Sequence, residues 1–336
     1  MAYPNPAIGD IVATTLENRS KKAADNVTRN NALLMRLNKR GNTKSFEPIS
    51  GGRTIWQELR YAQNQTAMWY SGYEVLNIAP SQIMTAAEFP VRQAAAAVSI
   101  SGLEELMNAG PEQMIDLIEE RVTNAEDTLY SLIAQGVYSD GSRPKEIGGM
   151  QLLISDSPST GTVGGIDAAT WEFWRNIAFS AMMNGGAPVT SANIRRYMDQ
   201  VFVQLVRGTD KPDLIVADNN YWLAFNESLQ AIQRITDEEL AKAGFATVQY
   251  MGNIPVVLDG GFQGYTSDPV PIGGCPPNTM YFLNTKYIHY RPHRRRNFAP
   301  INPDRFSVNQ DATVKLFGWA GNMTVSNRRL QGVLTA

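Results

Sequence analysis

WQELRYAQNQTAMWYSGYEVLNIAP at residues 56–80, followed by TAAEFPVRQAAAAVSISGLEEL at 85–106, is the stretch on which the reading of this chain turns. Gly51-Gly52 punctuates the sequence just before it, and residues 53–61 (RTIWQELRY) are rich in strand-favouring Thr, Ile, Trp and Tyr, which predicts a strand. Polar residues 63–66 lead into Met68-Trp69-Tyr70-Ser71-Gly72-Tyr73, an aromatic cluster closed by a turn signal, and the chain returns through 85–101. This describes a long two-stranded excursion. A lone two-stranded ribbon is marginally stable in water, so something must cover it. Aromatic anchors carry much of the energy of protein interfaces. Trp56, Trp69, Tyr70 and Tyr73, together with Arg60, are therefore expected to meet a neighbouring subunit rather than the chain's own core.

Downstream, Ser101 with Glu104 forms a capping box that starts a short helix through Met107. Gly110 breaks it, and Pro111 suits the first position of a new helix. Met114, Ile118, Val122, Ala125, Leu129 and Leu132 or Ile133 then recur at spacings of three and four, with acids and Arg121 between them. Gly136 and Gly141 supply the stop, so residues 111–136 predict a helix of about 39 Å at ~1.5 Å per residue. Upstream, residues 1–50 are rich in Asn, Arg, Lys and Ala, with helical stretches at 8–16 and 31–37 and few core candidates. Such a segment is expected to lie along other chains.

After Gly148-Gly149 the pattern is mixed α and β. Asp167 or Thr170 is expected to cap a helix carrying Trp171, Trp174, Ile177 and Phe179, and Thr190 or Ser191 another running through Val206. Asp218 should cap a helix to about Ile232, and Thr236 with Glu239 forms a further capping box. Strands are expected at 214–217, 248–251, 256–258 and 280–283, a strand or hairpin at 308–325, and a long Gly- and Pro-rich loop over 260–278.

The chain's 336 residues and 37.1 kDa suit one elaborate domain or two intimate subdomains. With 43% hydrophobic residues, 18% charged and a mean hydropathy of -0.26, the composition is that of a soluble globular protein. A net charge of -2 and a pI near 5.8 argue against wholesale nucleic-acid binding, so any DNA contact should be local. Cys275 is the single cysteine and excludes an intrachain disulfide framework. Residues 1–10 lack the basic and apolar regions of a secretory signal. The apolar run 94–100 is far short of a membrane span, so a cytoplasmic site of synthesis and no membrane partner are expected.

A catalytic constellation is not visible. His289 and His293 are the only histidines, and Pro292 between them favours an extended segment, so no metal site is expected. Nucleophile-elbow and phosphate-loop patterns are missing, and Gly164-Gly165 and Gly185-Gly186 lack dinucleotide spacing. No cofactor or enzymatic activity is expected. The densest basic cluster is Arg291, Arg294, Arg295 and Arg296; its guanidiniums could bind DNA phosphates or pair with acids of a partner subunit, and both readings stand open.

The order of elements across residues 56–141, in particular the two stretches quoted first and the helix from Pro111, resembles the major capsid (coat) protein of tailed bacteriophages. That Hong-Kong-phage-type fold is shared with herpesvirus shells and encapsulins. The resemblance covers nearly the whole chain in element order and is most specific in 56–141. It implies an α+β architecture: an N-terminal arm at 1–50, an extended β-hairpin loop at 51–93, a peripheral domain with spine helix and β-sheet from 94–147 and 279–336, and a mixed α/β axial domain at 148–278. It also implies self-assembly into hexamers and pentamers of an icosahedral phage head around double-stranded DNA, with a portal protein, a decoration protein and a scaffolding protein as partners. The virion is the implied location, after assembly in the host cytoplasm.

Two departures add expectations. Some coat proteins of this family are joined through a loop lysine bonded to an asparagine, and this sequence has no lysine between Lys44 and Lys145, so a non-covalent shell is expected. Others begin with a scaffolding segment, whereas here the arm begins almost at Met1, which implies a separate scaffolding protein. An encapsulin-like compartment and, more distantly, a cytosolic α/β enzyme are the alternatives.

Overall fold

The computed structural model of the chain describes residues 32–38, 45–103, 117–229, 247–251, 254–260, 274–301, 305–306 and 311–336. The helix expected at 8–16, most of the one at 101–107, the Pro111 start of the long helix, the cap at Thr236 and most of the 260–278 loop lie outside these residues.

The quoted stretch forms a hairpin stem. Strand β1 (Thr54–Arg60) pairs antiparallel with β2 (Met84–Pro90), Thr54 opposite Pro90 and Arg60 opposite Met84. Alternation decides which residues point inward. Ile55 and Leu59 of β1, and Ala87 and Phe89 of β2, are buried in the chain's own core, whereas Trp56, Glu58, Arg60, Met84 and Glu88 are exposed. Burying each of the larger inward side chains contributes about 2 kcal/mol, so the cover that a lone ribbon needs comes, on the inner face of the stem, from the chain's own core. Residues 61–83 contain no strand; the Tyr61 N–H donating to the Ile83 carbonyl at 3.1 Å closes the stem.

Past Val91 the chain enters β3 (Arg92–Ser101), which pairs along its whole length with β14 (Ala312–Val325), from Arg92 opposite Gly321 to Ser101 opposite Ala312. On its other side β14 pairs with β11 (Ile288–Pro292), β12 (Ala299–Pro300) and β13 (Arg305–Phe306). The long helix, described as α2 over Leu117–Gly136, packs on β3 and β14, and a short helix α3 (Met150–Leu153) follows it. Ala125, Leu129 and Ile133, spaced by four, are its buried row, while Leu132 is half exposed. The guanidinium of Arg121 ties the helix to the sheet by donating to the Ser99 carbonyl at 2.9 Å.

A second sheet has six strands in the order β6 (Ile177–Ser180), β15 (Gly332–Thr335), β10 (Thr279–Leu283), β7 (Leu214–Ala217), β9 (Ile254–Leu258) and β8 (Thr247–Tyr250). Both faces are buried. Leu214, Val216, Val257, Tyr281, Leu283 and Val333 face the core shared with the hairpin stem and α2. Their alternates, including Ile215, Val256, Phe282 and Leu334, face a core built with α4 (Ile194–Leu205) and α5 (Asn219–Ser228). The strands at 279–283 and 332–335, grouped by the sequence with the peripheral part, thus pair with strands of the 148–278 segment.

Several local expectations change. Instead of a helix over Trp171–Phe179, a 3-10 turn at Glu172–Trp174 precedes β6; Asp167 accepts from the Ala169 N–H and the Thr170 hydroxyl, closing a turn rather than capping a helix. Helix α4 begins at Ile194, with no side-chain cap from Thr190 or Ser191. Asp218 does cap α5, accepting from the N–H groups of Asn220 and Tyr221. The expected arm is partly an internal element: in α1 (Ala32–Asn38) Ala32, Leu33, Leu34 and Leu37 are buried, and residues 45–50 run parallel to β11. There Tyr290 N–H donates to Ser45 O at 2.6 Å, and Ile49 N–H to Pro292 O at 2.9 Å.

Candidate assembly surface

Beyond the stem the loop carries a run of uncovered apolar side chains. Trp69 is 100% exposed, Tyr70 65% and Trp56 60%, and Tyr73, Val75 and Ile78 are bare as well. Scattered exposed apolar residues are ordinary, but a contiguous run of this kind marks a contact surface. The five residues singled out in the sequence thus fall on one hairpin, with Trp56 and Arg60 on the outward face of β1 and Trp69, Tyr70 and Tyr73 on the tip. Local side-chain turns order the tip: Asn64 Oδ1 accepts from the Thr66 N–H at 3.0 Å and the Ser81 hydroxyl at 3.1 Å, and Glu74 Oε2 accepts from the Ser71 N–H at 3.1 Å.

The root of the loop is clamped. Tyr61 packs against Phe173 at 5.5 Å and edge-on to Trp171 at 5.7 Å. The short hairpin of β4 (Thr162–Val163) and β5 (Ile166–Asp167) lies beneath β2, where Gly164 O accepts from the Glu88 N–H at 2.9 Å. Gly164 has φ +60, and a Cβ there would sit 2.9 Å from the Ala87 Cβ and 3.1 Å from the Phe89 ring. The turn needs glycine both for its backbone and for its close approach.

The basic cluster does not hold together as one site. Arg291 is mostly buried, paired with Glu47 and donating to Gln57 Oε1 at 2.9 Å, so it joins residues 45–50 and β1 to β11. Its guanidinium is thus engaged inside the subunit, unlike those of its three neighbours in the cluster. Arg294, Arg295 and Arg296 are exposed on the turn after β11, with Arg296 N–H donating to His293 O at 3.0 Å. His289 is buried and bonds to Ser326 Oγ at 3.1 Å, and no group of three His, Cys, Asp or Glu among the described residues is arranged to hold a metal. None of the helices searched among those residues is long and apolar enough to cross a membrane.

Two polar groups, one half-buried and one fully buried, given no signal by the sequence, fix the parts relative to one another. Asp259, at the end of β9, accepts from the Tyr138 hydroxyl at 2.5 Å and from the backbone of Leu33, joining α1, the end of α2 and the second sheet. Burial pushes its carboxyl up to about 6, although both hydrogen bonds act downward. Arg328 is fully buried; it donates to the carbonyls of Leu153 at 2.7 Å and Trp174 at 2.9 Å and to Asn176 Oδ1 at 3.2 Å. Desolvation lowers its guanidinium to about 10.

The hairpin, the long helix laid on a sheet built from both halves of the chain, and the second sheet recur together in known structures. A chain of the cyanophage A-1(L) capsid asymmetric unit matches over 95% of this chain and 96% of its own, with a TM-score of 0.67 at 17% identity. The chain has the tailed-phage capsid fold. A GTA particle capsid shares that capsid fold with a TM-score of 0.62 at 11% identity, covering 100% of this chain and 99% of its own. So does the encapsulin of Synechococcus elongatus, with a TM-score of 0.54 at 11% identity over 97% and 95%. The sequence matches no protein-family model and no curated protein.

Proposed function

We propose that the chain is the major capsid protein of a tailed phage, assembling as hexamers and pentamers into an icosahedral head that encloses double-stranded DNA. The observation that carries this reading is the bare aromatic tip, Trp69 to Tyr73, projecting from a capsid-fold body in which the hairpin stem buries only its inner face. In a shell every copy has a neighbour to cover that tip. The role is structural and not enzymatic. In this reading 1–50 is the arm, 51–93 the extended loop, 94–147 with 279–336 the peripheral domain and 148–278 the axial domain, with the strands at 279–283 and 332–335 lent to the axial sheet. Scaffolding, portal and decoration proteins are its partners, and Arg294, Arg295 and Arg296 supply local contacts to DNA or a neighbour.

Electron microscopy of the purified chain tests the reading: rings or closed shells are expected, and a compact monomer at high concentration overturns it. Replacing Trp69 and Tyr70 together by Ala should leave a folded subunit that assembles poorly; unchanged shells would place the contact elsewhere. The encapsulin match supports a second reading, a compartment with protein cargo. Shells isolated from the native source distinguish the two, since DNA inside favours the first and a co-purifying enzyme the second.

A further inference from the structure

At the root of the loop a cleft of about 360 Å³ opens between the end of β1, the Glu172–Trp174 turn, the segment after α4 and the turn before β15. Arg60, Arg207 and Arg329 line it, brought together from three distant parts of the sequence. All three are exposed, and among the described residues none of their guanidiniums is hydrogen-bonded to, or ion-paired with, a carboxylate. The acid in the lining, Glu172, is taken by Arg175 at 3.3 Å. Arg207 acts on Asp210 only through its field, while the oxygens of Asp210 are held by Lys286 at 3.0 Å and Tyr287 at 2.8 Å. Tyr61 and Phe173 give the cleft an aromatic wall. Like charges gathered without counter-charge repel one another, and a carboxylate entering among them relieves that repulsion while accepting paired N–H donors.

The loop offers a matching group. Residues 61–83 contain one charged side chain, Glu74, set between the bare side chains of Tyr73 and Val75. We infer that the Arg60, Arg207 and Arg329 cleft is a carboxylate site that receives Glu74 from the loop tip of a second copy of this chain. The inference rests on the shell-forming reading above. In its own subunit Glu74 is turned to Ser71 and is absent from the lining of the cleft. Root and tip are different surfaces, so the contact is head-to-tail and repeats around a ring until it closes. Both surfaces combine an aromatic patch with charge, positive in the cleft and negative on the tip, and Arg60 shares its strand face with exposed Trp56.

The lysine-free stretch from 45 to 144 provides the test. An Arg60→Lys chain places one amine in the cleft, and a carbodiimide joins an amine to a carboxylate only in direct contact. Isotope-labelled and unlabelled copies are mixed before assembly, treated, digested and read by mass spectrometry. The expected product is a mixed-isotope peptide joining position 60 to Glu74, reduced at least tenfold by adding Glu74→Gln. Arg329→Lys is run beside it, so that poor assembly of one variant leaves the other to report. Assembled particles in which neither amine joins Glu74 of another copy overturn the site and leave the shell reading intact. Failure of the wild-type chain to assemble overturns both.

Discussion

Asp259 sits where α1, the end of α2 and the second sheet meet, and desolvation lifts its carboxyl from the ordinary 3.8 to about 6. The folded chain therefore holds the proton more tightly than the unfolded chain. This contribution to stability is fully present below about pH 4 and is lost as pH rises through 6, beyond which both states are ionised. At about 1.4 kcal/mol per unit the swing is about 3 kcal/mol. Asp259→Asn should flatten this part of the urea-unfolding profile between pH 4 and 7, and an unchanged slope would sink the assignment. Asp140, Asp167 and Asp210, held below their ordinary value by hydrogen bonds, slope the opposite way at lower pH and are common to both proteins. Arg328 is a second such residue. Removing it leaves two buried carbonyls without their donor and opens a cavity beside Trp174, so Arg328→Ala should cost about 4 kcal/mol. Arg328→Lys should cost less but remain destabilised, because one ammonium cannot reproduce a fork reaching Leu153, Trp174 and Asn176. Urea midpoints of the free chain read both, and a wild-type midpoint for Arg328→Ala would contradict the bonding.

The hairpin stem shows how elements hold a flexible tip. Gly164→Ala forces a Cβ toward Ala87 and Phe89 in a left-handed backbone region, so it should cost about 2 kcal/mol. Its signature is faster amide exchange at Glu88, whose N–H loses the Gly164 carbonyl, with little change in α5; uniform exchange across the molecule would contradict a local seat. The stem was legible in the sequence because strand-favouring Thr, Ile, Trp and Tyr gather at 53–61 between a glycine pair and a polar turn. The helix around Leu129 was legible because its apolar residues recur at spacings of three and four. Other elements were decided by partners far along the chain. Trp171, Trp174 and Ile177 have helical spacing, yet β6 forms because Ile177 lies opposite Gly332 in a parallel pair. Leu33, Leu34 and Leu37 read as a helix with nothing to pack on, since β11 and Asp259 lie more than two hundred residues away. The Arg291 tie was hidden likewise: its guanidinium belonged to a run of arginines in the sequence, but Glu47 sits 244 positions earlier.

At the scale of the molecule, both ends of the described chain are tied into the body. Residues 45–50 extend the β11 edge, and β15 lies inside the second sheet between β6 and β10. Among the described residues the loop tip carries the densest run of bare apolar side chains, so in the proposed shell it offers a neighbour packing and one charge. No amine of a lysine lies anywhere from residue 45 to 144, so the loop cannot supply the nucleophile of a side-chain amide with a neighbour. The shell of the proposed function is then held by apolar burial and by guanidinium–carboxylate pairs, both of which detergent and heat disrupt. Boiling assembled particles in detergent and reductant should release a single band at the 37.1 kDa of the chain. Raising salt should weaken assembly while leaving the subunit folded, because the screening length falls from about 8 Å at physiological ionic strength to about 3 Å at 1 M, which weakens exposed charge pairs but not buried apolar contacts. A ladder of multimers surviving the boiling would require a covalent joint elsewhere in the chain and would remove the reason for reading Trp69, Tyr70 and Tyr73 as the principal contact.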